Sequence, residues 1–99
     1  MEHHVYFWLN EENKNPEDRA RFEKGLASLF EIELVEGGCW SVPAEVELRP
    51  VVDQSWDYAL SMRFKTLEDQ CVYQDHPDHH VFIDGFKPLW AKVLVMDLA

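Results

Sequence analysis

Side chains able to transfer protons are concentrated in one short stretch of this sequence, residues 73–80. The stretch contains the phenol of Tyr73 and the imidazoles of His76, His79 and His80. Because imidazole titrates near neutral pH, a histidine can act there as a general base. A tyrosine hydroxyl can hold a carbonyl oxygen and stabilise the enolate that forms when a neighbouring proton is removed. If the protein carries out acid–base chemistry, we expect it in this stretch.

A structural interpretation of both residues stands beside the catalytic one. His79 could be a buried histidine bonded to a backbone carbonyl, and Tyr73 could pack its ring and leave its hydroxyl in water. If Pro77 is the first helical residue, His79 lies in the first turn, where the helix dipole disfavours imidazolium. The carboxylates of Asp75 and Asp78 act in the opposite direction. The sequence therefore leaves the sign of the pKa shift of His79 open.

Other chemistries lack the residues that they require. His76 and His80 are four positions apart, but Pro77 interrupts the helical spacing and there is no HExxH motif, so we predict no metal site. No serine nucleophile elbow and no glycine-rich phosphate loop occurs. Cys39 and Cys71 form no CxxC pair, and we expect them to be free, packed thiols.

Alternating side chains predict four strands, over residues 2–9, 39–48, 56–65 and 92–98, with a loop over residues 49–55. Pro43 cannot donate a ladder hydrogen bond, so the second strand should be an edge strand or contain a bulge. The first and last strands carry large side chains on both faces. Such strands need a cover on each side of the sheet.

Residues typical of helix N-termini precede each of three predicted helices. Asn15 and Pro16 suit an N-cap and a first turn, and an apolar stripe follows at Phe22, Leu26, Leu29 and Phe30. Thr66 should cap a short second helix that ends near Asp75. His76 should cap the third. That helix is predicted to present His79, Phe82 and Phe86 on one face and His80, Ile83, Asp84 and Lys87 on another, and to end before Trp90 because of Gly85 and Pro88.

The order strand, helix, strand, strand, two short helices, strand fits an α+β, ferredoxin-like fold. Its four-stranded antiparallel sheet has helices on one face. A second copy of the chain could cover the other face, so we expect a homodimer. With 99 residues, the chain should form a single domain over residues 1–99.

Charge and hydropathy narrow the range of partners. The 9 Lys and Arg residues and 19 Asp and Glu residues give a formal charge of −10. That charge repels phosphate backbones and anionic lipids, so we expect neither nucleic-acid nor membrane binding. No apolar stretch approaches the roughly 20 residues of a membrane helix, and the start has no basic signal region. We therefore expect a cytoplasmic protein.

Four segments of the chain resemble the stress-responsive α/β-barrel (Dabb) family. They are residues 3–7, residues 56–60, the motif His76-Pro77-Asp78-His79 followed by Phe82, and residues 88–97. The second-strand region departs from the family pattern, because it lacks the usual glycine-x-asparagine turn and contains Pro43. The resemblance implies a ferredoxin-like protomer, a dimeric α/β-barrel, and a pocket between the sheet and the helices.

The resemblance also implies roles for individual residues. In one branch, the olivetolic acid cyclase-type polyketide cyclases of plants, a histidine and a tyrosine catalyse an aldol condensation without metal or cofactor. Those two residues match His79 and Tyr73, while His3, Trp90 and Asp97 match further pocket positions. We therefore expect His79 and Tyr73 to be catalytic, no cofactor to be needed, and a small apolar or carbonyl-bearing molecule to contact His3, Val5, Phe7, Phe22, Phe82, Phe86, Trp90 and Asp97.

Two other classes of function remain open at this point. A non-enzymatic stress-responsive dimer with an unknown ligand would have a pocket that is small or filled by Phe82 and Trp90. A cofactor-dependent monooxygenase of the related barrel type would bind haem or flavin and would be coloured.

Overall fold

The computed structural model describes residues 1–99 and contains four strands and three α-helices. In chain order they are β1 (Glu2–Leu9), α1 (Pro16–Leu29), β2 (Gly37–Ser41), β3 (Tyr58–Arg63), α2 (Leu67–Gln74), α3 (Pro77–Phe86) and β4 (Trp90–Leu98). Short 3-10 turns occupy Glu11–Asn13 and Lys87–Leu89. The sheet order is β2-β3-β1-β4, and each neighbouring pair is antiparallel. The predicted ferredoxin-like fold is confirmed.

All three helices begin at the predicted N-caps. The side chains of Asn15, Thr66 and His76 each accept a hydrogen bond from a backbone amide in the first turn, over 2.8, 3.0 and 3.0 Å respectively. These bonds satisfy amides that have no partner within the helix itself. α3 ends at Phe86, and Pro88 lies in the following 3-10 turn, so the predicted stop before Trp90 is also confirmed.

The predicted boundaries of three strands were wrong. β2 ends at Ser41 rather than at residue 48, because β3 begins only at Tyr58 and residues 42–48 have no strand beside them. Pro43, which cannot donate to a ladder, stands just beyond this end. β3 spans six residues rather than residues 56–65, and β4 begins at Trp90, two residues earlier than predicted.

The core lies between the sheet and the three helices. Phe22 of α1 is fully buried at its centre, and its ring contacts those of Phe7, Tyr58, Phe82, Phe86 and Trp90 at centroid distances of 5.2–6.4 Å. Burying such large apolar rings provides the main driving force for folding. Cys39 and Cys71 are outside this core. Both are free, but both are exposed, so the expectation of packed thiols was wrong.

The opposite face of the sheet carries no helix. Tyr6, Trp8, Trp56, Leu94 and Met96 border a shallow depression of about 240 Å³ there, together with Asp53. Tyr6 and Trp56 meet edge to face at 5.4 Å. We call this surface the open face. No helix combines the length and the apolar character needed to cross a lipid bilayer.

A glycine at the start of β2 is required by the pairing of β2 with β3. Gly38 has φ +126°, and a Cβ atom there would lie 1.8 Å from the backbone oxygen of Ser61. We expect Gly38→Ala to lower the free energy of unfolding by about 2 kcal/mol or more. Urea unfolding at fixed protein concentration measures this change.

Gly85 provides the matched control, because a Cβ atom there would meet no atom within 4 Å. Gly85→Ala lies inside a helix and should raise the free energy of unfolding by about 0.5–1 kcal/mol. A Gly38→Ala protein that unfolds at the wild-type urea concentration would contradict the geometry described for β2.

Candidate functional site

A cavity of about 150 Å³ lies between the sheet and the helices α2 and α3. Its wall is formed by His3, Val5, Phe7, Leu29, Leu60, Tyr73, Gln74, His79, Phe82, Ile83, Trp90, Val93 and Val95. Most of these side chains are apolar. Two of them, Val93 and Val95 of the edge strand β4, are 42% and 48% exposed. The cavity therefore opens to solvent along β4.

His79 lines this cavity and carries an unpaired polar atom. The residue is half-buried on α3, and its Nδ1 atom is buried with no hydrogen-bond partner in the protein. Its ring stands at 66° to that of Tyr73, with 4.9 Å between the centroids. Nδ1 of His79 makes no hydrogen bond to a backbone carbonyl, although the backbone of Gln74 lies close enough to act on the pKa of this ring.

The surroundings of His79 lower its pKa from the usual 6.5. Burial is the largest cause, because it penalises the charged imidazolium, and repulsion from His80 and His3 adds to it. The nearby backbone carbonyl of Gln74 and the carboxylate of Asp75 oppose the shift without reversing it. The net shift is downward, which favours the neutral form of His79, able to accept a proton, at pH 7.

Tyr73 supplies a hydroxyl that stays protonated. Its side chain is 1% exposed on α2, where its ring contacts those of Phe64 at 5.1 Å, His3 at 6.1 Å and His79. Burial raises the pKa of Tyr73 well above its usual value of 10.0, and no charged neighbour opposes this rise. A phenol of this kind is a hydrogen-bond donor at neutral pH.

His3 adds a second imidazole, which a carboxylate holds in place. The residue is 3% exposed on β1, and its Nδ1 atom lies 2.5 Å from Oδ1 of Asp97 on the neighbouring strand β4. Nε2 of Gln70, itself buried, lies 3.5 Å from the same nitrogen. In the neutral tautomer that carries its proton on Nδ1 and donates it to the carboxylate, Nε2 of His3 is an acceptor.

The cavity wall includes most of the residues predicted for the site. His3, Val5, Phe7, Tyr73, His79, Phe82 and Trp90 all line it. Phe22, Phe86 and Asp97 lie outside the wall. Phe22 supports Phe7 and Phe82 from behind, Phe86 packs against Phe22 at 5.6 Å, and Asp97 contacts the cavity only through His3.

Sequence reasoning missed six wall residues: Leu29, Leu60, Gln74, Ile83, Val93 and Val95. Ile83 was placed on the face of His80, which was wrong, since Ile83 follows His79 by four positions and shares its face. Val93 and Val95 alternate with Asp97 along β4 and pair with Phe7 and Val5, so strand periodicity contained the signal. Nothing local distinguishes Leu29 or Leu60 from other core leucines.

The other two histidines of residues 73–80, His76 and His80, do not line the cavity. His76 caps α3 through Nδ1, and His80 is exposed on the outer surface, as expected. No three side chains among histidine, cysteine, aspartate and glutamate lie together in an arrangement that could hold a metal ion.

An NMR titration of the histidine ring protons should give His79 a pKa below 6.5, because burial disfavours its protonated form. Protonation then favours the unfolded chain, whose His79 titrates higher. The free energy of unfolding should be unaffected by His79 above about pH 6.5 and should fall as the pH drops below that value.

The variant His79→Gln should remove this part of the pH dependence. His80→Gln, next to it on the exposed surface, should weaken but not abolish it, because repulsion from His80 is a smaller cause of the shift than burial. A His79 that titrates at or above its usual pKa would contradict the electrostatics described here.

Comparisons with known proteins agree with this fold. The sequence model of the Stress responsive A/B Barrel Domain, Dabb, matches residues 1–99. A crystal structure of an Arabidopsis thaliana protein superposes with a TM-score of 0.83 and 25% identity, over 99% of this chain and 92% of that one. A dimeric ferredoxin-like protein of unknown function from Thermobifida fusca superposes with a TM-score of 0.76 and 21% identity, over 99% of this chain and 88% of that one.

A hydroxynitrile lyase from Passiflora edulis has the same fold, with a TM-score of 0.74 and 17% identity over 96% of this chain and 87% of the lyase. No curated protein sequence matches the chain. Since the family model covers the whole of the sequence, the chain belongs to the stress-responsive α/β-barrel (Dabb) family.

Proposed function

We propose that the cavity binds a small apolar or carbonyl-bearing molecule and that His79 and Tyr73 perform acid–base chemistry on it, of a cyclase or lyase type. One observation carries the proposal, namely the buried, unpaired Nδ1 atom of His79 beside the hydroxyl-bearing ring of Tyr73. Buried polar atoms in proteins are nearly always hydrogen-bonded, so an orphan in a cavity wall indicates a ligand that completes the bond.

The chemistry follows from the protonation states of the two groups. Neutral His79 removes a proton from the carbon beside the carbonyl group, and the electrons of the broken C–H bond move onto the carbonyl oxygen. Protonated Tyr73 donates a hydrogen bond to that oxygen and stabilises the enolate. The enolate then either attacks a second carbonyl group, whose oxygen takes the proton from the His79 imidazolium, or is itself reprotonated on carbon by that imidazolium. This sequence of steps requires no metal or cofactor.

The size and polarity of the cavity support this assignment. It is largely apolar, it places its few polar groups on His3, Tyr73, Gln74 and His79, and it opens along β4. Pockets for small molecules commonly combine apolar walls with a few convergent polar groups and a titratable group of shifted pKa. The existence of a lyase with the same fold supports the proposal at the level of fold alone.

Deuterium exchange tests the base directly. We expect the wild-type protein to accelerate loss of the CH₂ signal of phenylacetone in D₂O above the buffer rate, as followed by proton NMR. His79→Gln should reduce the protein-dependent rate by about 100-fold or more, because it removes the base. Tyr73→Phe, which keeps the ring, should reduce it by about tenfold or more, since the enolate loses one hydrogen-bond donor.

The matched control is His80→Gln, which removes an exposed imidazole from the same helix and should keep the rate within about twofold. An exchange rate that is unchanged in His79→Gln would refute the catalytic proposal. Binding of phenylacetone without any exchange would favour the second class of function, a non-enzymatic Dabb protein that binds a ligand.

We also propose that two copies pack through their open faces. This face holds Tyr6, Trp8, Trp56, Leu94 and Met96, and the last two are 37% and 51% exposed. Contiguous exposed apolar surface of this kind often marks a protein interface. The related proteins from Thermobifida fusca and Bacteroides fragilis are both described as dimeric.

Met96→Glu should dissociate this dimer, because each copy already carries a formal charge of −10 and the new carboxylates would be buried against an apolar surface. Sedimentation velocity should give twice 11.7 kDa for the wild type and 11.7 kDa for the variant. Val81→Glu, an exposed position on α3, should remain dimeric. A monomeric wild type, or a dimeric Met96→Glu protein, would contradict this interface.

A further inference from the structure

The volume of the cavity indicates how much of a ligand it can enclose. An engineered cavity of about 150 Å³ lined by Leu, Ile and Phe binds benzene, and the cavity here has the same volume. One six-membered ring with a short substituent therefore fills it. A fused bicyclic molecule would have to extend through the opening along β4 or displace the wall.

The wall also favours a particular shape. Phe7, Phe82 and Trp90 all line the cavity, and the rings of Phe82 and Trp90 lie 6.1 Å apart at an interplanar angle of 30°. The ring of Phe7 is 5.2 Å from that of Trp90. Flat aromatic surfaces of this kind favour offset stacking or edge-to-face contact with another ring.

The charges around the cavity exclude anions. No lysine or arginine lines it, and the two imidazoles are His79, which is neutral, and His3, which already contacts the carboxylate of Asp97. A carboxylate ligand would lose its hydration without gaining a cationic partner. The formal charge of −10 on the chain adds long-range repulsion.

We propose that the cavity selects an uncharged, single-ring molecule with one carbonyl or hydroxyl group, and that Ile83 sets the upper limit on its size. The ring lies against Phe7, Phe82 and Trp90, and the polar group reaches Nδ1 of His79. Ile83 lines the cavity on the α3 side, one turn after His79, and it is only half-buried. This inference rests on the proposed function for the choice of site, but it requires no catalytic step.

Three related probes test the proposal by chemical-shift perturbation of the backbone amides that line the cavity. Phenylacetone is the single-ring ketone, phenylacetate is its anionic counterpart of similar shape, and 2-naphthylacetone is the bicyclic ketone. We expect phenylacetone to bind the wild type at least about tenfold more tightly than either of the others. Equal binding of the naphthyl ketone or of phenylacetate, or no binding of phenylacetone, would overturn the inference.

Variants of Ile83 should change the size limit alone. Ile83→Ala enlarges the cavity at its half-buried rim and should tighten 2-naphthylacetone binding by about tenfold, while phenylacetone binding changes by no more than about threefold. Ile83→Val, a smaller change that keeps a β-branched side chain, should give a smaller gain of the same sign. Val81→Ala, on the exposed side of the same helix, should change neither affinity.

Unchanged naphthyl binding in a folded Ile83→Ala protein would show that Ile83 does not set the limit. The two proposals fail in different ways. Loss of deuterium exchange with intact size selection removes the catalytic step and leaves this inference standing. Binding that does not depend on the size of the probe, together with deuterium exchange that depends on His79, would refute this inference and leave the catalytic proposal standing.

Discussion

The break between α2 and α3 is the constraint on which the site depends. α2 ends at Gln74 and α3 begins at Pro77, so the chain changes direction within two residues. The amides of His79 and His80 bond to the carbonyl of His76, which closes the first turn of α3 directly after the break. Because this turn fixes the start of the helix, His79 comes to face Tyr73 across it rather than lying along the same helix face.

This arrangement places His79 in an environment that lowers the stability of the fold. A buried nitrogen without a hydrogen bond costs about 1–3 kcal/mol, and burial works against its protonated form. The surrounding aromatic core offsets that cost, since Phe22 alone contacts five other rings. In the same cavity the pKa of Tyr73 is raised, so its hydroxyl group keeps its proton at neutral pH. Acid–base catalysis needs one group that accepts a proton and another that keeps its proton, and the two pKa shifts favour these states.

The sequence predicted those parts of the structure that depend on local chemistry. The caps at Asn15, Thr66 and His76 and the end of α3 follow from short-range hydrogen bonds and proline geometry, and they were confirmed. The end of β2 was wrong because it depends on where β3 begins, which the residues of β2 do not encode. For the same reason, the cavity wall could be predicted along β1 and at His79 and Phe82 of α3, but not at Leu29 and Leu60, whose role depends on how distant elements pack.

The alternation of side chains in β1 and β4 links the two faces of the sheet. His3 and Phe7 point toward the cavity, while Tyr6 and Trp8, between and beside them, border the open face. β4 repeats this pattern, with Val93 and Val95 at the mouth of the cavity and Leu94 and Met96 on the other side. As an edge strand, β4 is held in the sheet only by β1. In the proposed dimer a second copy would press on Leu94 and Met96, and would thereby fix the strand that forms the mouth. Dimerisation and access to the cavity would then depend on the position of this one strand.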